Sequence, residues 1–181
     1  QWLPTDFNQG SMDSGKYSGK SYALPYFPDL GFLFFRKDIV SEEDQATLVS
    51  GDYTWADLLA MAENYAEGDT PYGYVFQAMQ YEGLTVNLNE FSANWGDLSG
   101  GLEQMKAFVD SASAPEDILS YTEGETANAF VNGEAVFARN WPYMNGMIAS
   151  DEHNVKIDQV GYAPLPEGGS VGGWLVGVNA S

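Results

Sequence analysis

Cysteine is absent from the 181 residues, and basic residues are scarce. Without cysteine the chain has no disulfide, no zinc–thiolate site and no thiol for lipid attachment. Only seven lysines and arginines stand against 26 acidic residues, which gives a net charge of -19. So few cations cannot displace the counterions of a nucleic acid or hold an anionic membrane surface. The same negative field disfavours an anionic substrate such as a sugar phosphate.

Histidine and long hydrophobic runs are also in short supply. The one histidine, His153, lies in an acidic and polar stretch that is typical of an exposed loop rather than of a catalytic site. The sequence has no run of about 18 apolar residues, so no membrane span is expected. The motifs of a nucleophile elbow, a phosphate loop, an HExxH zinc site and an EF-hand are missing. We therefore expect neither a cofactor nor a metal.

What the chain does contain is ample material for a core, since 44% of its residues are hydrophobic and 14% are aromatic. Strand-like runs alternate with amphipathic helical patterns, which predicts an α/β layered domain. Residues 1–18 are expected to be the tail of an element and a loop, 25–29 an irregular extended segment, and 32–35 a buried strand. Helices are predicted from residue 54, over 81–94, 100–112 and 124–132, and from Pro142. Strands are predicted over 72–77, 134–140, 155–163 and 173–178.

Four clusters of aromatic and polar residues stand out, each predicted where a strand ends. In open α/β sheets, ligands bind outside the carboxyl ends of the strands. Aromatic rings pack on the apolar faces of a sugar, while carboxylates and amides pair with its hydroxyls. The clusters therefore indicate a sugar site. They are Tyr26-Phe27-Pro28-Asp29, Gln77 with Gln80-Tyr81-Glu82-Gly83, Asn140-Trp141-Pro142-Tyr143-Met144-Asn145, and Gly172-Gly173-Trp174.

Each cluster also has a purely structural interpretation. Tyr26 and Phe27 can be core aromatics beside a turn, and Tyr81 lies on the apolar face of its predicted helix. Glu82 suits a helix start because a carboxylate is favourable near the positive end of the helix dipole. Trp141 before a proline can be a hydrophobic staple, and the glycine pair at 172–173 can be a plain turn.

A catalytic alternative is a glycoside hydrolase, which needs a pair of carboxylates. Asp29 with Glu82 or Glu134 could form such a pair. With 26 acidic residues, however, pairs of this kind arise by chance. We therefore expect no enzyme.

Six segments in series carry a resemblance to a known family. Together they resemble the family 1 extracellular solute-binding proteins of ABC transporters, the maltose- and trehalose-type sugar receptors, from about residue 15 to the end. Phe27-Pro28 departs from the Tyr-Thr or Tyr-Ile of many relatives. The segments are 19–26 with Asp29, Gly31 and 35–38; Thr54-Trp55 with Leu58-Leu59; Phe76-Gln77 with Gln80-Tyr81-Glu82-Gly83-Leu84; 130–135 with Arg139-Asn140-Trp141-Pro142-Tyr143; 160–166; and Gly172-Gly173-Trp174 with 176–178.

The resemblance implies a type II periplasmic-binding-protein fold of the α/β class, mainly its second lobe with the hinge strands. Residues 1–24 would be the end of a first-lobe segment and the first crossover strand, 25–160 the second lobe, and 161–181 the second crossover and the strand that returns to the first lobe. Because such receptors are about twice as long, the chain is expected to be the central portion of a longer protein.

The implied function is the substrate-binding component of an ABC importer, which closes by a hinge around a neutral sugar or oligosaccharide. Trp141 and Trp174 would stack on sugar faces, and Asp29 and Glu82 would accept hydrogen bonds from hydroxyls. The alternatives are the hydrolase and a stand-alone carbohydrate-binding module. The implied ligand-binding residues are Tyr26, Phe27, Asp29, Tyr81, Glu82, Trp141, Tyr143, Gly173 and Trp174.

Permease subunits are the implied partners, and the implied location is periplasmic or extracellular, membrane-associated in a Gram-positive or archaeal host. Exposed edges of the hinge strands would also allow a dimer or a domain swap. The acidity itself is typical of a protein adapted to a salty environment.

Overall fold

The computed structural model describes residues 4–150 and 152–179, which form two compact units. The larger unit is Gly31–Ser170. The smaller unit combines the described residues up to Leu30 with those from Val171 onward. None of the helices in these ranges has the length and hydropathy that crossing a bilayer needs.

Eight strands and seven α-helices are present in the described residues. The strands are β1 Lys16–Tyr17, β2 Lys20–Ser21, β3 Ala23–Leu30, β4 Phe32–Arg36, β5 Tyr72–Val75, β6 Ala135–Asn140, β7 Val160–Ala163 and β8 Val171–Gly177. The helices are α1 Gln9–Ser14, α2 Glu42–Ser50, α3 Trp55–Tyr65, α4 Glu82–Phe91, α5 Leu98–Asp110, α6 Glu123–Val131 and α7 Met144–Ile148. Short 3₁₀ helices are Pro4–Asp6, Ile118–Ser120 and Ile157–Gln159.

A four-stranded mixed sheet in the order β5-β6-β4-β7 is the centre of the larger unit. β5 runs parallel to β6, whereas β4 is antiparallel to both β6 and β7. All six residues of β6 are buried, and so are the three central residues of β4. Strands covered on both faces read as continuous apolar runs, so the prediction of a buried strand over 32–35 is confirmed.

Helices pack on this sheet through an aromatic core. The ring of Trp55 in α3 stacks on Phe91 of α4, with 3.9 Å between centroids, and meets Phe108 of α5 edge-on at 6.1 Å. The helix predicted from residue 54 is confirmed as α3, whose N-cap Thr54 forms a capping box with Asp57. The other predicted helices are confirmed as α4, α5, α6 and α7.

Two short helices escape prediction, and one predicted strand is half wrong. α2 buries only Leu48, so its sequence lacks the apolar stripe from which a helix is predicted. α1 lies in the region expected to be a loop and is capped by Asn8. Of the strand predicted over 155–163 only the second half exists as β7, because the Lys156 N–H bonds to the side chain of Gln159 and the chain turns there.

The smaller unit contains an antiparallel ribbon of β3 and β8 and a hairpin of β1 and β2. The segment 25–29 is part of β3, not irregular: the strand runs through both prolines and pairs on one side only, with a bulge between Pro25 and Phe27. An edge strand tolerates proline because its outer N–H groups need no partner.

The division into units differs from the expected segments at both junctions. The pairing of β3 with β8 continues to Leu30 opposite Val171, so 25–30 belong to the smaller unit. β7 pairs with β4, so the segment from 161 to 170 belongs to the larger unit. The assignment of these units to two lobes of a receptor stays a prediction.

Candidate functional site

The carboxyl ends of β5 and β6 lie at the same edge of the sheet, because these strands are parallel. The chain leaves β5 towards Tyr81, which is the N-cap of α4. It leaves β6 directly into Trp141. Strand carboxyl ends are where open α/β sheets bind ligands. Both aromatic clusters predicted for this unit are therefore at the sheet edge where they were expected.

Three of the predicted ring residues converge on Glu123, the first residue of α6. The phenol of Tyr81 donates to Glu123 Oε2 at 2.6 Å, and the indole Nε1 of Trp141 donates to Oε1 at 3.4 Å. The phenol of Tyr143 donates to the backbone carbonyl of Glu123 at 3.0 Å. We call Tyr81, Glu123, Trp141 and Tyr143 the aromatic–carboxylate cluster.

The cluster is partly open to solvent. Tyr143 is 46% exposed, while Tyr81, Glu123 and Trp141 are half-buried. Burial, and secondarily the bond to Glu123, raises the pKa of Tyr81 well above its usual value. Burial also raises the pKa of Tyr143. Both phenols therefore keep their protons and remain hydrogen-bond donors at neutral pH.

A buried ion pair lies under the indole of Trp141. The guanidinium of Arg139 is 4.0 Å from the centre of the Trp141 ring, a cation–π contact. Its Nε and Nη2 donate to the two carboxylate oxygens of Glu90 at 2.8 and 2.6 Å. Gln77 accepts from Nη1 of Arg139 at 3.2 Å and donates to its carbonyl at 2.9 Å. Bidentate pairing fixes the plane of the guanidinium and with it one face of the indole.

Tyr81 differs from its predicted placement, whereas Glu82 lies at a helix start as predicted. Helical periodicity puts Tyr81 on the apolar face of α4, but it precedes the helix and its ring lies against Gly83, where a Cβ would collide with it. Glu82 is exposed at the first position of α4, and its carboxylate accepts no hydrogen bond from the described residues. Its predicted role as a hydroxyl acceptor stays a prediction.

In the smaller unit the predicted residues lie within the ribbon of β3 and β8. Phe27 is paired with Trp174, and their ring centroids are 6.5 Å apart. The ring centroids of Tyr26 and Phe27 are 5.4 Å apart. Tyr26 is 72% and Trp174 67% exposed, so neither is a core residue. The prediction that these two clusters end their strands is wrong, since a paired ribbon continues through both.

Asp29 and Gly173 complete this second group. Asp29 is half-buried, and burial raises the pKa of its carboxyl. Gly173 lies opposite Pro28 with φ of 115°, and a Cβ there would collide with the carbonyl of Phe27. The glycine is thus required by the ribbon itself, and the interpretation of 172–173 as a plain turn is wrong.

The sequence did not single out Glu123 or the pair Arg139–Glu90. Thr122 with Glu125 forms a capping box, which fixes the start of α6 and places Glu123 in its first turn. That motif was a usable signal for the helix start, but the contact to Tyr81 joins residues 42 positions apart. Among the described residues, no group of three or more His, Cys, Asp or Glu side chains could hold a metal ion.

Comparison with known families matches the whole chain, residues 1–181, to the family described as bacterial extracellular solute-binding protein. A probable ABC transporter-binding protein of Deinococcus radiodurans is 31% identical over 196 residues, covering 93% of this chain and 46% of that protein. A probable amino-acid ABC transporter periplasmic-binding protein of Sinorhizobium fredii, y4oP, is 28% identical over 193 residues, covering 96% and 43%. The chain spans less than half the length of these relatives.

Solved structures of similar proteins also match this chain over about half of their own length. The maltose-bound MalE3 of T. maritima superposes with a TM-score of 0.80 at 33% identity, over 97% of this chain and 50% of that one. The GacH receptor of Streptomyces glaucescens, determined unliganded and with acarbose, gives a TM-score of 0.74 at 21% identity, over 97% and 48%, which shows the fold alone. The chain therefore belongs to the bacterial extracellular solute-binding protein family and has the type II periplasmic-binding fold over about half of such a receptor.

Proposed function

We propose that the full-length protein is the solute-binding component of an ABC importer and that it binds a neutral sugar or oligosaccharide. The observation that carries this proposal is the aromatic–carboxylate cluster, in which three ring side chains converge on one carboxylate at the carboxyl end of two parallel strands. Membership of the solute-binding family supports the importer role.

The chemistry of the cluster suits a polyhydroxylated ligand. Rings offer faces for the C–H surface of a pyranose, and the Glu123 carboxylate has lone pairs beyond the two that accept from Tyr81 and Trp141. The nearby cation, Arg139, is 1% exposed and is already paired with Glu90. A ligand carboxylate or phosphate would therefore find no unpaired cation in this cluster. The maltose bound to MalE3 supports a sugar ligand.

The exposed rings of Tyr26, Phe27 and Trp174, with Asp29, supply the second group of proposed ligand contacts. These rings adjoin one another, and contiguous exposed apolar groups mark interaction surfaces. The chain passes between the two units twice, at 30–31 and 170–171, which suits a hinge. We propose that ligand closes this hinge, because it contacts the closed arrangement better than the open one. The proposed location is outside the cytoplasmic membrane, periplasmic or extracellular, with permease subunits as partners.

Calorimetric titration of the full-length protein tests the ligand class. We expect saturable binding of at least one neutral sugar among maltose, trehalose, sucrose and longer oligosaccharides, with no turnover of a chromogenic glycoside. Sugar phosphates are expected not to bind. Binding of amino acids with no response to any neutral sugar would overturn the proposal in favour of the ligand named for the Sinorhizobium relative.

A matched pair of tryptophan variants tests the site. Trp141→Ala removes the ring that contacts both Arg139 and Glu123. We expect sugar affinity to fall by about tenfold or more, the usual cost of truncating an aromatic residue that is central to binding. Trp95→Ala removes a ring that is 52% exposed and follows the C-terminal end of α4, so affinity should be unchanged. Equal effects of the two substitutions would place the ligand elsewhere.

A further inference from the structure

We infer that Glu90 is a positioning residue that couples the orientation of Trp141, in the proposed sugar site, to the two segments around Gly31 and Ser170. At these segments the chain continues from the larger unit into the smaller one. The ligand part of this inference rests on the proposed function. Glu90 is 2% exposed and lies near the C-terminal end of α4. A single carboxylate with two separate sets of partners is the feature that carries it.

One set of partners is the junction segments. Oε1 of Glu90 accepts from the backbone N–H of Ser170 at 2.8 Å. The carbonyl of Ser170 in turn accepts from the N–H of Gly31 at 3.1 Å. Ser170 and Gly31 are the last and first residues of the larger unit. Both junctions are thus tied, directly or through one backbone bond, to the same carboxylate.

Gly31 and Gly169 are packed too closely against their neighbours to accept a side chain. A Cβ on Gly31 would collide with Oε1 of Glu90 and with the guanidinium of Arg139. A Cβ on Gly169 would collide with the carbonyl of Gly31. The two junction segments therefore approach each other and the ion pair as closely as glycine allows. A displacement of Ser170 must displace the carboxylate or break its bond to it, and a displacement of Gly31 must displace Ser170 or break the backbone bond between them.

The other set of partners leads to the site. Oε1 also accepts from Nη2 of Arg139, and Oε2 accepts from Nε. The Arg139 guanidinium supports the indole of Trp141, which donates to Glu123. Stability alone does not require this pair, because a buried ion pair is often replaced by apolar residues without loss. Its geometry instead makes the orientation of Trp141 depend on the position of Ser170.

A double-mutant cycle in the full-length protein tests the coupling. Ser170→Pro removes the N–H that donates to Glu90. Ser170→Ala keeps this N–H and removes only the hydroxyl, which accepts from Asn89 and donates to the carbonyl of Val86. Each is combined with Trp141→Ala, and maltose or whichever neutral sugar binds is titrated calorimetrically. We expect the fold-loss of affinity caused by Ser170→Pro to be about threefold or more smaller in the Trp141→Ala background than in the wild-type background. This difference exceeds the deviation from additivity that is usual for independent sites. The fold-losses of affinity caused by Ser170→Ala and Trp141→Ala should simply multiply in the double variant.

A second readout needs no ligand. The protein is labelled with fluorotryptophan, and the Trp141 resonance is assigned by its loss in Trp141→Phe. We expect this resonance to shift in Ser170→Pro and to stay in place in Ser170→Ala. If Ser170→Pro does not fold, Glu90→Asp takes its place, because the shortened carboxylate keeps its charge but cannot reach both partners.

The outcomes separate the two proposals. No sugar binding by the wild-type protein overturns the proposed function, while a Trp141 resonance that follows Ser170→Pro still supports the coupling. Sugar binding with independent, multiplicative effects and an unmoved Trp141 resonance overturns the coupling and leaves the proposed function standing.

Discussion

At the scale of single residues, Glu123 and Glu82 compete for the role of hydroxyl acceptor. Glu123 holds Tyr81 and Trp141 through its two oxygens, whereas Glu82 is exposed without a hydrogen-bonding partner among the described residues. Glu123→Gln presents an amide N–H₂ to one of these donors, and a hydrogen bond to a charged group contributes about 1.5–3 kcal/mol. We therefore expect sugar affinity to fall by about tenfold or more, measured by calorimetry.

Glu82→Gln is the matched control for that substitution. Its affinity should remain within about twofold of the wild-type value, since exposed polar contacts contribute little. A larger loss from Glu82→Gln than from Glu123→Gln would restore the role that the sequence assigns to Glu82.

Gly173 is the residue on which the β3–β8 ribbon depends. Its φ of 115° and the close carbonyl of Phe27 exclude a side chain. We expect Gly173→Ala to lower the free energy of unfolding by about 1–3 kcal/mol, measured by urea denaturation, and to speed amide hydrogen exchange in β3 and β8. Gly146→Ala, in α7 with open space around it, should instead be neutral or stabilising. Equal effects would show that the ribbon tolerates a side chain at 173.

At the scale of elements, two capping boxes of the same kind have different consequences for the proposed site. Thr122 with Glu125 begins α6 and so holds Glu123 in place, while Thr54 with Asp57 begins α3, which contributes no residue to the cluster. Replacing either threonine by alanine should cost about 1 kcal/mol of stability. Only Thr122→Ala should also weaken sugar binding. Urea denaturation and calorimetry on both variants check this, and a loss of affinity from Thr54→Ala as large as that from Thr122→Ala would contradict it.

Elements with a strong local signal could be predicted, and those shaped by long-range pairing could not. α3 has both a cap and an apolar face that buries Trp55, Leu58 and Ala62, so its pattern is sufficient. β3 contains two prolines that argue against a strand, and only its pairing with β8 makes it one. The structure confirms the expected strand-end position of Trp141, whereas Glu123 is one of 26 acidic residues and is distinguished only by its contacts.

At the scale of the whole molecule, the excess of acidic groups is only slightly relieved by ion pairs. In the described residues, four pairs join Lys16, Arg36, Lys106 and Arg139 to Asp13, Asp38, Asp110 and Glu90. Three of these pairs join residues two to four positions apart in sequence, so they hold no distant elements together. Most acidic residues in the described part of the chain are exposed, and their like charges repel one another in the folded chain.

This self-repulsion predicts that salt stabilises the protein. Between about 0.01 M and about 1 M NaCl the Debye length falls from about 30 Å to about 3 Å, so repulsion among exposed carboxylates is screened. We expect the melting temperature, followed by circular dichroism at pH 7, to rise over this range, and equally with KCl, since screening depends on ionic strength rather than on the cation. The exposed Glu103 and Glu167 provide a charge control, because Glu103→Gln with Glu167→Gln should raise the melting temperature at low salt and reduce its rise with salt. A melting temperature that is constant or falls with salt would show that net charge does not limit the stability of this chain.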